Sequence, residues 1–148
     1  MNSRYSFDRN DPPIALLVED DDSSRMEISG YLREKGYGVF EARTSVEALL
    51  LAVEFPSRID ALFTSLDLRK YCNGAELAGC LRASRPEIAV FYLCGNREYS
   101  EEVTREIVLG QATLLRKPIS GHCMEQAIGM IKRIETGIQL ETLTGNNF

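Results

Sequence analysis

Several absences narrow the class of this chain before any motif is read. No apolar stretch approaches the roughly 18–20 residues of a membrane span, so a spanning helix is not expected. No block of lysines and arginines occurs and the net charge is −5, which argues against a nucleic-acid surface. Cysteine is sparse: Cys72, Cys80, Cys94 and Cys123 lie far apart and form no C-x-x-C, so reduced thiols in a cytoplasmic protein are expected. The single histidine, His122, stands beside Cys123 with no second ligand pair near it, too little for a zinc site. No G-x-G-x-x-G or G-x-x-x-x-G-K-[ST] follows an apolar run, which sets aside a nucleotide- or flavin-binding protein. Residues 1–13 are polar and lack the apolar centre of a secretory signal. Repeats and low-complexity tracts are missing as well.

What is present is an alternation of strand and helix, five times over, in 148 residues, enough for one domain with a proper core. After a flexible leader, residues 1–13, the apolar run Ile14–Val18 reads as a strand buried on both faces. A helix follows from Asp22 to about Lys35, stopped by Gly36. Tyr37–Glu41 is the second strand. Thr44 and Glu47 have the spacing of a capping box, and the helix they open carries Val46, Leu49, Leu50 and Val53 on one face, ending near Phe55-Pro56. Ile59–Ser65 is the third strand, and a polar loop, 66–73, leads to a helix over Gly74–Ser84 with Leu77 and Leu81 inward. Ile88–Leu93 reads as a central strand, and Cys94-Gly95-Asn96 turns into a helix from about Ser100 to Leu109. Ala112–Leu115 is the fifth strand. The last helix runs from about Ser120 to Glu135 with the stripe Cys123, Ala127, Met130, Ile131, Ile134 and Ile138, and residues 136–148 form its extension and a disordered tail. Such alternation predicts an α/β, doubly wound, five-stranded parallel sheet in the order 2-1-3-4-5, over residues 14–135.

Chemistry is concentrated at the ends of the predicted strands. Glu19, Asp20, Asp21 and Asp22 follow the first strand directly. Carboxylates repel one another, and the carboxyl ends of parallel strands are where such sheets bind ligands, so the cluster suggests a hard cation such as Mg²⁺. Asp21 and Asp22 suit the N-terminus of the following helix, which leaves Glu19 and Asp20 for chemistry. In the 2-1-3-4-5 order the ends of strands one, three, four and five converge, bringing Glu19/Asp20, Ser65, Cys94 and Lys117 to one crevice.

This arrangement, with V-E-D-D, the loop before Gly74, L-C-G and L-R-K-P in order, resembles the receiver domain of two-component response regulators over roughly Ile14 to Ile134. The resemblance implies the CheY-like, flavodoxin-like fold. It also implies an acidic pair holding Mg²⁺, an aspartate ending strand three that takes a phosphoryl group from phosphohistidine, and a hydroxyl ending strand four. A lysine pairs the phosphate, and an aromatic on strand five follows the switch. Carried over, Glu19 and Asp20 are the acidic pair and Lys117-Pro118 the Lys-Pro, with a cis peptide in that region. Ser65 stands at the acceptor position, Cys94 at the hydroxyl position and Leu114 at the aromatic position. Arg69 or Lys70 replaces the usual loop proline.

Serine is a poor nucleophile without a dedicated base, Cys94 is a weak donor, and the loss of the third carboxylate weakens any Mg²⁺ site. Lys117 pairing directly with Asp20 would leave the crevice metal-free. The expectation is therefore a degenerate, stand-alone receiver: not an enzyme, with no cofactor or only weak Mg²⁺ at Glu19, Asp20 and Asp67. It would work by contact with a signalling protein (a histidine kinase, a phosphotransfer protein or another regulator). Its fourth helix, fifth strand and last helix form the face for a homodimer or partner, to which Ile134 and Ile138 add apolar surface. The alternative is an active receiver that phosphorylates itself at Asp67, two residues beyond Ser65.

Overall fold

The computed structural model describes residues 11–55, 58–68, 72–95 and 98–135, with side chains to Ile131. Pro56, Arg69, Lys70, Asn96, the side chains of Ile134 and Ile138, most of the leader and the tail, on each of which an expectation was placed, lie outside the described residues.

The elements alternate: β1 (Ile14–Val18), α1 (Asp22–Glu34), β2 (Gly38–Ala42), α2 (Ser45–Glu54), β3 (Ala61–Ser65), α3 (Gly74–Ser84), β4 (Ala89–Cys94), α4 (Glu101–Val108), β5 (Thr113–Arg116) and α5 (Gly121–Glu135). The strands pair in parallel in the expected order, β2-β1-β3-β4-β5. Strand edges differ from the sequence expectation by a residue or two, because apolar runs continue into the turns that flank them.

Side chains alternate across the sheet, which therefore has two cores. Leu17, Phe63, Phe91 and Leu115 meet Ile28 and Leu32 of α1 and Met124, Ala127, Ile128 and Ile131 of α5. Leu16, Val18, Leu62, Val90 and Tyr92 meet Ala48 and Ala52 of α2, Leu77 and Leu81 of α3, and Val103 of α4. Phe63 and Phe91 stack with ring centroids 4.6 Å apart. All five residues of β3 and all six of β4 are buried, as expected of strands covered on both faces.

Local signals place the turns. α1 ends at Gly36, whose φ of 89° is the left-handed conformation that glycine adopts without steric cost, and Tyr37 N–H closes on the Leu32 carbonyl at 3.0 Å. Gly74 opens α3 against the end of β3. A Cβ there would lie 2.2 Å from the Ser65 carbonyl oxygen, so this close approach requires glycine.

Three local expectations are corrected. α2 turns the other way from its predicted stripe: it buries Ser45, Ala48 and Ala52, while Val46, Leu50 and Val53 are exposed and Leu49 is half-buried. Apolar residues occupy nearly the whole circumference of this helix, so periodicity could not choose its inner face, and the sheet accepted the small side chains. Thr44 Oγ1 accepts from Glu47 N–H at 3.1 Å, but the Glu47 carboxylate accepts from Arg43 N–H at 2.8 Å and does not return the bond to Thr44. The reciprocal capping box is at α3 instead, between Asn73 and Glu76. In α5 the buried stripe is Met124, Ala127, Ile128 and Ile131, with Cys123 half-buried and Met130 36% exposed, because the sheet faces an arc one residue round from the predicted one.

α4 is held largely by polar contacts. Val103 is its buried residue, and Glu106 accepts from the Tyr92 hydroxyl at 2.9 and 3.1 Å while pairing with Arg82 of α3. Burial, followed by the Glu106 carboxylate, pushes the Tyr92 hydroxyl well above its usual range, so it stays a proton donor to that acid. No helix of the described residues is long and apolar enough to cross a membrane.

Candidate functional site

The strand order brings the ends of β1, β3, β4 and β5 side by side. Glu19 follows β1, and its N–H bonds the Ala42 carbonyl of β2 at 3.0 Å, which keeps the chain extended one residue past the strand and turns the side chain inward. The result is a glutamate only 1% exposed. Lys117 follows β5, where its N–H bonds the Cys94 carbonyl at 2.8 Å and the Lys117–Pro118 peptide is cis. Its side chain reaches across the strand ends, and Nζ lies 2.6 Å from Glu19 Oε2. The other carboxylate oxygen, Oε1, accepts from Asp21 N–H at 3.2 Å. Burial pushes the Glu19 carboxyl above the ordinary range, and the Lys117 ammonium works against that shift. The expected direct partner of Lys117 was Asp20. It is Glu19 instead: Asp20 is exposed in the turn, while Glu19 is buried beside the end of β5.

Asp21 and Asp22 serve α1, as expected. Asp21 is the N-cap, accepting from Ser24 N–H at 2.8 Å, and that bond holds its carboxyl below the usual range. Asp22, in the first turn, pairs with Arg25 and, at 3.3 Å, with Arg43, and Arg25 holds its carboxyl low.

Ser65 ends β3 and is 2% exposed. Its Oγ accepts from Asp67 N–H at 3.3 Å, and the Leu66 N–H bonds the Leu93 carbonyl at 3.1 Å, so the chain leaves the strand through a serine-closed turn. Asp67 is exposed beyond that turn. Cys94, 3% exposed, is the last residue of β4. Leu114 lies within β5 opposite Tyr92, half-buried on the side of α4. A small crevice is bordered by Asp67, Asn73, Cys94, Tyr99 and Ser100, with the Arg116 guanidinium 6.0 Å from the Tyr99 ring. The structure thus brings Glu19, Lys117, Ser65 and Cys94 to one end of the sheet, with Asp20 and Asp67 at its solvent rim and Leu114 away from it.

Among the described residues no group of three or more His, Cys, Asp or Glu side chains converges on a point. A hard divalent cation here would have Glu19 and Asp20 as its carboxylates and water in its remaining positions. The buried member, Glu19, is already neutralised by an ammonium.

One contributor escaped the sequence reading. Arg25 is 8% exposed, and its Nη1 donates to the Glu19 carbonyl at 2.8 Å while Nε faces Glu41 at 3.6 Å. It ties the turn that carries the acids to α1 and β2. The available signal was its spacing three residues after Asp22, a helical ion-pair spacing.

Residues 15–129 match the model of the response regulator receiver domain. Among curated proteins, the sensor kinase CckA of Brucella abortus (strain 2308) is 34% identical over 83 residues, 56% of this chain and 9% of that protein. A cyclic di-GMP phosphodiesterase of Thermotoga maritima is 28% identical over 105 residues, 71% of this chain and 27% of that protein. The chain therefore spans a minor part of either relative. Among solved structures, the receiver domain protein (CheY-like) of Methanospirillum hungatei JF-1 superposes with a TM-score of 0.72 at 21% identity, covering 86% of this chain and 99% of that one. With the strand order, the inward acid after β1 and the Lys-cis-Pro after β5 in place, the match over most of its length makes this chain a member of the response regulator receiver domain family.

Proposed function

We propose that this receiver domain of two-component signalling works as a pseudo-receiver: a cytoplasmic protein-interaction module whose state is not set by aspartyl phosphorylation. The observation that carries this reading is the pairing at the reacting centre. Ser65 occupies the end of β3, where the family places its acceptor carboxylate, and its Oγ closes the turn to Asp67. A hydroxyl needs a base to attack phosphorus, and the buried acid of the crevice, Glu19, is occupied by Lys117 at 2.6 Å. Cys94 replaces the strand-four hydroxyl with a weaker donor, and half-buried Leu114 replaces the moving aromatic. The crevice then has no phosphate to recognise and needs no Mg²⁺. Output passes through contact with a histidine kinase, a phosphotransfer protein or another regulator, or through a homodimer on the α4–β5–α5 face.

A second reading keeps the domain active, with Asp67 accepting the phosphoryl group in a reaction the domain catalyses on itself. It is favoured only by the exposure of Asp67 beside the crevice. Incubation with Mg²⁺ and acetyl phosphate, followed by intact-mass measurement, separates the two. No phosphoryl adduct is expected. An adduct that disappears in Asp67→Asn and persists in Ser65→Ala would replace the first reading by the second.

A further inference from the structure

α2 is packed inside out. Its inward side chains are Ser45, Ala48 and Ala52, small groups that let the helix lie close to the sheet, while its larger ones face water: Val46 is 38%, Leu50 58% and Val53 78% exposed. Phe55, at the C-cap, is 45% exposed, with its ring 5.1 Å from that of Phe40 on β2. These four are half of the eight large apolar side chains exposed among the described residues, gathered on one short helix and its cap. Exposed apolar groups scattered singly need no explanation, but a contiguous patch marks an interaction surface. Val46, Leu50 and Val53 stand at i, i+4 and i+7, the seam along which one helix packs on another.

Charge selects the occupant. Glu47 and Glu54 are exposed beside the seam, α2 carries no lysine or arginine, and neither glutamate forms an ion pair among the described residues. The arginines near the helix are already engaged: Arg43 with Asp22 at 3.3 Å, Arg58 with Asp60 at 2.9 Å, and Arg85 with the carbonyl of Ala52 on α2 itself at 3.0 Å. A second copy packed antiparallel on this seam, about a two-fold axis perpendicular to the helix, would set Glu47 against the copy's Glu54, an unfavourable match. Residues 136–148 contain no cation at all, and residues 1–10 offer only Met1, Tyr5 and Phe7 as large apolar groups.

We propose that the outer face of α2 docks an amphipathic helix of a partner protein whose apolar side is flanked by lysine or arginine. This site is separate from the α4–β5–α5 face and from the crevice, and it holds whether or not the chain accepts a phosphoryl group.

The test uses the full chain and two synthetic peptides of about 18 residues, long enough to hold a helix. Both present leucines at i, i+4 and i+7, flanked by lysines in one and glutamates in the other. By fluorescence anisotropy the lysine-flanked peptide is expected to bind at least about tenfold tighter, a preference that shrinks with salt. Leu50→Asp should weaken it at least about tenfold with Tm unchanged, and Glu47→Lys with Glu54→Lys should reverse the preference between the peptides. Equal affinity for both peptides, or unchanged binding in Leu50→Asp, would overturn the proposal. So would a dimer in sedimentation that Leu50→Asp abolishes, which assigns the face to a second copy. Binding that emerges only when residues 1–10 or 136–148 are deleted would assign it to the chain's own termini.

Discussion

The crevice and the outer face of α2 break the same rule in opposite directions. At the crevice a carboxylate is 1% exposed; on α2 a leucine is 58% exposed. The buried acid is tolerated because an ammonium 2.6 Å away and a backbone N–H compensate for the water it lost. The exposed leucine has no such compensation within the described residues. A buried charge with its partners in place is a closed system, while an apolar seam left in water is an open one. The first therefore bears on how this domain holds its shape, and the second on what it touches.

Three stability measurements by urea unfolding probe that contrast, in order of expected effect. Leu16→Ala sets the scale, since Leu16 is wholly buried among Leu62, Ala48 and their neighbours, and its truncation should cost about 4 kcal/mol. Lys117→Met should cost about 3 kcal/mol at neutral pH by leaving Glu19 buried with no cation. The pH dependence has a definite sign. The folded-state pKa of Glu19 is raised above its ordinary 4.5, so its contribution to stability is fully present below that value and is lost as pH rises through the folded one. Removing the ammonium raises the folded value further, so the deficit of Lys117→Met should be greatest at neutral pH and narrow on acidification as Glu19 takes up a proton. A deficit independent of pH would mean that the pair is not what stabilises the crevice. Leu50→Ala should change stability by less than about 0.5 kcal/mol, because the side chain is already in water. A cost near that of Leu16→Ala would mean that α2 depends on its outer residues, and the two regions would no longer differ in kind.

Much of this was legible in the chain. The apolar runs of β1, β3 and β4 are short and continuous, a pattern expected of strands covered on both faces, and their alternation with helices leaves few topologies. Asp21 could be assigned to the helix cap because capping is local and depends on a residue three positions away. The partner of Lys117 was not legible. Asp20 and Glu19 are adjacent in sequence, and only the bond from Glu19 N–H to Ala42, on a different strand, decides which of them turns inward. The burial of Arg25 is of the same kind, since it depends on Glu41 of β2 lying beside α1.

By itself, then, the sequence determined the order of elements, the doubly wound parallel sheet and the set of strand ends that meet, because these follow from local propensity and the handedness of crossovers. Its resemblance to the family also carried the expectation that Ser65, Cys94 and Leu114 stand where the family's reacting and moving groups belong. Only the tertiary structure decided that Glu19 holds Lys117 and that α2 presents its large side chains to water. Both outcomes depend on which surfaces distant segments offer. A side chain's face is chosen by the packing available to it, and a helix that is apolar nearly all round carries no record of that choice in its own residues.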